Sequence, residues 1–156
     1  MRPSLNIRSY TPLEIELIMD IFMNAVHKTA SKDYNAAQIT AWGQIDKYKW
    51  IKRCTTRPIW IAEVDGVAAG FTDLEDNGHL DMMFVHSSFN KMGVATLLLK
   101  TAEDHAAELK LPRIFTEASL TAKPFFERRG FHLMIQQEVE IRGQILTNFK
   151  MEKFLY

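Results

Sequence analysis

The stretch from Val85 to Leu99, VHSSFNKMGVATLLL, constrains this chain more than any other. An apolar segment ending at Val85 runs into a short polar loop with one glycine, and a helix of apolar periodicity starts at once. Such a loop presents consecutive backbone N–H groups and the positive end of a helix dipole to whatever lies before it. An anion is the natural guest of that geometry, and phosphate above all. Gly93 permits close approach because no Cβ stands in the way. A plain strand-to-helix turn would use the same glycine for its backbone angles alone, so the loop by itself leaves both readings open.

The rest of the chain narrows the class. Its 156 residues fit one domain over 1–156, with a core from about 5 to 153, and 47 % apolar residues suffice for that core. Lys plus Arg and Asp plus Glu both number 19, so no net charge points to nucleic acid or an anionic membrane. Cys54 is the only cysteine, which rules out an internal disulfide and a cysteine metal cluster. His27, His79, His86, His105 and His132 show no metal-ligand spacing, so no metal is expected. No apolar run approaches a membrane span, and residues 1–8 lack a signal peptide's apolar stretch, so a cytoplasmic protein is expected.

Leu5 to Ser9 reads as a first strand. Thr11-Pro-Leu-Glu14 looks like a capping box with proline at the first helical position, and Leu17, Ile18, Ile21, Phe22, Ala25 and Val26 follow at helical spacing. A second helical region runs from Ala36 to about Lys52. Strands are predicted over 59–64, 67–74 and 79–85, with turns at Asp65-Gly66 and Asp76-Asn77-Gly78. A helix over about 93–109 places Val94, Leu97, Leu98, Ala102, His105 and Leu109 on one face. A strand over 114–118, a short helix over 121–129 closed by Gly130, and strands over 131–141 and 144–152 complete the chain. The order β-α-α-β-β-β-α-β-α-β-β describes an α/β domain with a mixed sheet.

With elements in this order, two blocks resemble the GNAT superfamily of acyl-CoA N-acyltransferases. Asn90-Lys-Met-Gly93-Val-Ala95 is similar to the family's Gln/Arg-x-x-Gly-x-Gly/Ala loop, with a shortened amide in first place and Ser87 where proline is frequent. Phe125-Phe-Glu-Arg-Arg-Gly-Phe131 is similar to its Phe/Leu-Tyr-Glu-x-x-Gly-Phe block. The segments Thr29-Ala-Ser31, Gln38-Ile-Thr-Ala-Trp42, Ala118–Phe131 and Thr147-Asn-Phe149 resemble the YafP-like branch in particular. The resemblance implies a mixed, mostly antiparallel sheet of about seven strands flanked by helices. It also implies acetyl-CoA as cosubstrate, direct transfer of the acetyl group to a primary amine of a small molecule, and a homodimer as in many relatives.

By that resemblance, the backbone of Lys91, Met92, Gly93, Val94, Ala95 and Thr96 meets the pyrophosphate, with Lys91 adding charge. Met83, Phe84 and Val85 lie beside the pantetheine arm on a strand that diverges from its neighbour, and an N–H near Phe84 polarises the thioester carbonyl. The reaction needs an uncharged amine, and a lysine-like amine with a pKa of about 10.4 costs roughly 4–5 kcal/mol to deprotonate at neutral pH. The candidate bases are Asp81 and His79, two residues apart, and Glu75 or Asp73 on the preceding strand; Asp81 could equally be a satisfied polar residue at a sheet opening. Phe126 stands where relatives carry an acidic tyrosine, so no general acid transfers. Ser119, Tyr34 or water remain to assist, and Ser119 also suits orienting the pantetheine or capping the next helix. Phe126 packs near the thioester end. Thr29, Tyr34 and Trp42 border the acceptor pocket. Lys123, Arg128 and Arg129 form either a solvated face or a contact with the adenosine 3′-phosphate. Cys54 has no activating neighbour. Two other readings stay open: a non-catalytic acyl-CoA sensor and a protein N-acetyltransferase.

Overall fold

A computed structural model describes residues 2–156. Strand β1 is Leu5–Ser9. Thr11 and Glu14 close the expected capping box around a 3₁₀ turn, and α1, Ile15–Asn24, follows. It runs on through a wide π-type turn at Ala25–Thr29. Next come α2 (Ala36–Trp42), α3 (Lys47–Arg53), β2 (Ile59–Val64), β3 (Val67–Asp73) and β4 (Met83–Val85). The chain ends with α4 (Val94–Glu108), β5 (Arg113–Ser119), α5 (Lys123–Arg128), β6 (His132–Ile141) and β7 (Gln144–Phe154).

The seven strands form two antiparallel sheets, β1-β2-β3-β4 and β5-β7-β6. A single parallel bridge, His79 to Phe115, joins them. On one face of the first sheet, Ile18, Ile21, Phe22 and Val26 pack with Ile59, Ile61, Phe71 and Trp50. On the other, Val94 and Leu98 of α4 pack against Ala62, Val64 and Ala69. Strand alternation alone would put Ala69 and Phe71 on one side. A bulge between the β2–β3 pairs Ala62–Gly70 and Glu63–Ala68 leaves Ala69 as the extra residue and sends the two apart.

Three expectations need correction. The helical region from Ala36 breaks in two at Gly43. A Cβ there would lie 2.3 Å from His27 Nε2, and Asp46 then caps α3 by accepting the Lys49 N–H at 3.2 Å. The inward face of α4 is rotated: Leu99 and Ala106 are buried, whereas Leu109 is 46 % exposed. The strand expected over 79–85 is regular only from Met83. Asp73 Oδ1 accepts the N–H groups of both Asp81 and Met82, at 2.9 and 2.8 Å, and so displaces a ladder partner. Among the described residues no helix is long and apolar enough to cross a membrane.

Candidate active site

The two sheets part just beyond the His79–Phe115 bridge, and the ladders show which backbone groups face the gap. Asp73 N–H bonds Met82 O and His86 N–H bonds Ala69 O, on either side of the Phe71–Phe84 pair. Antiparallel alternation therefore aims the Phe84 N–H at β3, and those of Met83 and Val85 at the gap. The N–H groups near Phe84 that face the gap are thus those of Met83 and Val85, while that of Phe84 itself is used in the ladder. Across the gap, Leu155 N–H to Pro112 O fixes the β5–β7 phase, so Glu117 and Ser119 turn their backbone groups toward β4. The opening thus has unpaired peptide groups on both walls.

At one end of the gap lies the glycine loop. Lys91 and Gly93 both have positive φ, 62° and 87°. Among the described residues, no protein acceptor takes the N–H groups from Lys91 through Thr96; the first helical bond is Leu97 N–H to Gly93 O. A Cβ on Gly93 would touch only Leu5 Cδ1, at 3.7 Å. Lys91 and Gly93–Thr96, though not the expected Met92, line a cleft of about 400 Å³ together with Arg128 and Arg129. Arg129 is fixed there by Thr96 Oγ1 at 2.5 Å, Phe125 O at 3.3 Å and the Phe125 ring at 3.9 Å. Unused N–H groups, a dipole end and two guanidinium groups fit a pyrophosphate. Lys123 is elsewhere, with its ammonium 5.0 Å from the Phe149 ring centroid.

From the cleft an apolar channel of about 210 Å³ runs past Met83, Phe84, Val85, Ala95 and Phe125 to Phe126, Ser119, Thr29 and Trp42. Phe126 is only 3 % exposed and packs edge-on to Phe125 and Phe131. Ser119 Oγ accepts the Ala122 N–H at 3.1 Å, so it does cap the turn into α5 while still lining the channel. Beyond Ser119 and Phe84 is a chamber of about 190 Å³ whose walls include Tyr34, Trp42, Asp81, Glu117 and Asn148. Asp81, Trp42 and Phe84 also line an outer vestibule of about 330 Å³ with Asp46 and Arg53. Tyr34 is structural: its hydroxyl donates to Thr147 O at 2.7 Å and accepts the Leu120 N–H at 2.8 Å. Burial pushes its phenol pKa up.

The chamber floor is an ionic network. Arg57, 10 % exposed, donates to Asp73 at 3.0 Å and to Asp81 at 2.8 Å, and lies 3.5 Å from Glu75. Arg53 approaches Asp81 at 3.5 Å. Burial pushes the Asp73 carboxyl up to about 6, against the opposing pull of the Met82 N–H and of Arg57. His79 sits between Glu117, 2.8 Å from Nε2, and Glu75, 2.7 Å from Nδ1. Those two carboxylates, Glu117 most, push its pKa up to about 9. At neutral pH it is an imidazolium with no free lone pair. His79, Asp81 and Glu117 offer ligand atoms within 4.8 Å of one another, and a metal there would have to displace the His79 proton. Cys54 lines a different cavity, beside Tyr10, and burial pushes its thiol pKa up.

The structure therefore brings the candidates Asp81, His79, Glu75 and Asp73 into one network and leaves Asp81 facing the chamber. Sequence reading missed Arg57, Arg53 and Glu117. Glu117 had a signal, since it stands two residues before Ser119 on one strand and so shares its face. Arg57, directly before Pro58 in a turn, had none.

The sequence profile of the acetyltransferase (GNAT) domain matches residues 30–153. The uncharacterized N-acetyltransferase YafP of Escherichia coli K12 is 39 % identical over 148 residues, 95 % of each chain. A GCN5-related N-acetyltransferase from Rhodopseudomonas palustris superposes with a TM-score of 0.92 at 30 % identity, over 99 % of this chain and 97 % of that one. The PaiA N-acetyltransferase of Thermoplasma acidophilum, solved in complex with coenzyme A, shares the fold at a TM-score of 0.76 and 18 % identity, over 97 % of this chain and 99 % of that one. With the profile covering most of its length and a full-length relative at 39 % identity, the chain belongs to the GNAT family of N-acetyltransferases.

Proposed function

We propose that the protein moves an acetyl group from acetyl-CoA directly to the primary amine of a small molecule. One observation carries this reading: cleft, channel and chamber adjoin in sequence and share wall residues. Val85, Asn90, Ala95 and Phe125 belong to both cleft and channel, and Trp42, Phe84 and Ser119 to both channel and chamber. A diphosphate held at Lys91–Thr96 would lay an extended arm along the edge groups of Met83 and Val85, with its far end at Ser119. When bound, acetyl-CoA supplies the acetyl group as a thioester.

The residues of the chain then divide the work. Loop N–H groups, Arg128 and Arg129 hold negative charge. An N–H on the open edge of β4 polarises the carbonyl. Asp81 and Glu117 attract an ammonium to the chamber, and the faces of Trp42 and Phe84 enclose it. Asp81 receives the amine proton, directly or through water, because His79 already carries protons on both nitrogens. The outer vestibule at Asp81 gives that proton a way out. We assign the protein to the cytoplasm, where its lone thiol stays reduced. We further propose a homodimer, with the exposed Leu133, Met134 and Ile135 of the edge strand β6 at the interface; sedimentation as a monomer at micromolar concentration removes it.

The test is calorimetry with coenzyme A followed by thiol release from acetyl-CoA across a panel of primary amines. Binding together with amine-dependent release is expected. No heat at millimolar coenzyme A refutes the donor site, and binding without release from any amine marks a sensor instead.

A further inference from the structure

We infer that Asn148 is the residue that selects a primary amine as acceptor, by taking the N–H that the proton relay does not use. This inference rests on the amine-acetylation reading above. Asn148 Oδ1 is a buried side-chain oxygen without a hydrogen-bond partner among the described residues. A buried carbonyl left in that state is costly, and native structures rarely keep one without a use. As placed, Oδ1 is sealed from open space, but the side chain borders the chamber, and a half-turn about χ2 brings the oxygen to the chamber wall, where a ligand N–H would supply the missing partner. Asn148 lies on β7 directly across from Ser119 of β5, so both side chains stand on one face of the sheet. Glu117, two residues before Ser119, shares that face. All three line the chamber, and Ser119 also touches the end of the channel where the reacting carbon would be.

The chemistry follows from counting hydrogens. As the amine nitrogen attacks the carbonyl carbon, a C–N bond forms, the C–S bond breaks, and its electron pair leaves with sulfur. One amine proton passes toward Asp81 and on to solvent. A primary amine still has a second N–H, which becomes more acidic as nitrogen turns cationic, and Asn148 Oδ1 accepts it. A secondary amine has one N–H and needs it for the relay, as an alcohol needs its single O–H. The acceptor oxygen of Asn148 thus rewards only the primary amine.

Three matched pairs serve as probes: tyramine and N-methyltyramine, benzylamine and N-methylbenzylamine, butylamine and N-methylbutylamine. Each is assayed by thiol release from acetyl-CoA with the wild-type protein, Asn148→Ala and Asn148→Asp. Wild type is expected to favour the primary member. Asn148→Ala should lower kcat/KM for primary amines about tenfold and leave the N-methyl partners unchanged, while Asn148→Asp, which keeps an acceptor oxygen, should restore the preference. An equal loss on both members shows a merely structural role and overturns the inference. So does unchanged kcat/KM in Asn148→Ala. A melting temperature of Asn148→Ala several degrees below wild type also overturns it, because Oδ1 would then have a partner within the fold. If the wild-type protein acetylates no amine, the underlying reading fails with it, a result distinct from turnover that ignores Asn148.

Discussion

Replacing Arg57 by methionine tests whether the ionic floor of the chamber is organised as described. Asp73 is fully buried, and Arg57 is the guanidinium that faces it at 3.0 Å. Methionine fills much of the arginine stem's volume but leaves the Asp73 carboxylate with only the Asp81 and Met82 N–H groups. Removing one partner of a buried pair costs about 3–5 kcal/mol. In a domain of this size each kcal/mol moves Tm by about 2–4 °C, so a fall of roughly 6–20 °C is expected at pH 8. The pH dependence has a definite sign. Burial raises the folded-state pKa of Asp73 to about 6, above its unfolded value near 3.8, so ionising it costs stability as pH rises through that window. Without Arg57 the window moves higher, and the carboxyl takes up a proton nearer neutrality. The gap between variant and wild type should therefore be small at pH 5 and large at pH 8, by circular-dichroism melts in matched buffers. Adding Asp73→Asn keeps an oxygen for the two N–H groups and removes the charge, so it should recover most of the lost Tm. Acetyl transfer should stay impaired, because Asp81 has still lost its 2.8 Å partner. A gap that is the same at both pH values, or an Asp73→Asn substitution that recovers nothing, refutes this account.

Three further outcomes are expected. At Gly93, with φ 87° and only Leu5 near a new Cβ, alanine should cost about 1 kcal/mol of stability and change coenzyme A affinity little; glutamate adds a charge facing the diphosphate and should weaken binding at least about tenfold by calorimetry, so equal affinities would contradict the phosphate loop. The pKa of His79 is raised from 6.5 to about 9, so its contribution to stability is complete below about 6.5 and is lost as pH rises through about 9. Melting curves from pH 7 to 10 should fall more steeply for wild type than for His79→Gln, and parallel curves would remove the imidazolium. Asp81→Asn should lower kcat about 10²-fold with the coenzyme A Kd unchanged; undiminished turnover across pH would eliminate Asp81 as the proton acceptor.

What could be read from the sequence is mostly what is local. The Thr11–Glu14 box, the Asp65-Gly66 turn and the Gly93 loop each depend on neighbours within a few residues, and all three formed as expected. The errors come from distant contacts. His27 enforces the break at Gly43 from 16 residues away. Asp73 remodels the start of β4 by capturing N–H groups 8 and 9 residues on, a pairing no alternation pattern encodes. The proton state of His79 depends on Glu117, 38 residues later, so a histidine that reads as a base in one dimension becomes an imidazolium in three. Asn148 was visible only as part of a resembling segment, because its lack of a partner is a property of the packed strand pair.

These positions also bear on the missing general acid. Phe126 has no proton to give and is enclosed by Phe125 and Phe131, at ring distances of 5.2 and 5.0 Å. Tyr34 has one, but it is bonded to Thr147 O and its phenol pKa is raised by burial. Near the channel end, Ser119 has a hydroxyl with a capping role of its own, Thr121 donates its hydroxyl to Asp33, and Thr29 carries a third. The charged groups lie instead on the acceptor side: Asp81, Glu117, Glu75 and Asp73, balanced by Arg57, Arg53 and His79. That asymmetry matches the energetics of the proposed transfer. A thiolate with a pKa of about 8.5 leaves readily near neutrality without an acid, whereas an alkylammonium near 10.4 needs roughly 4–5 kcal/mol of help to lose its proton. The chain places its ionisable groups where the larger proton-transfer cost falls, so the phenylalanine in the second block is compatible with catalysis.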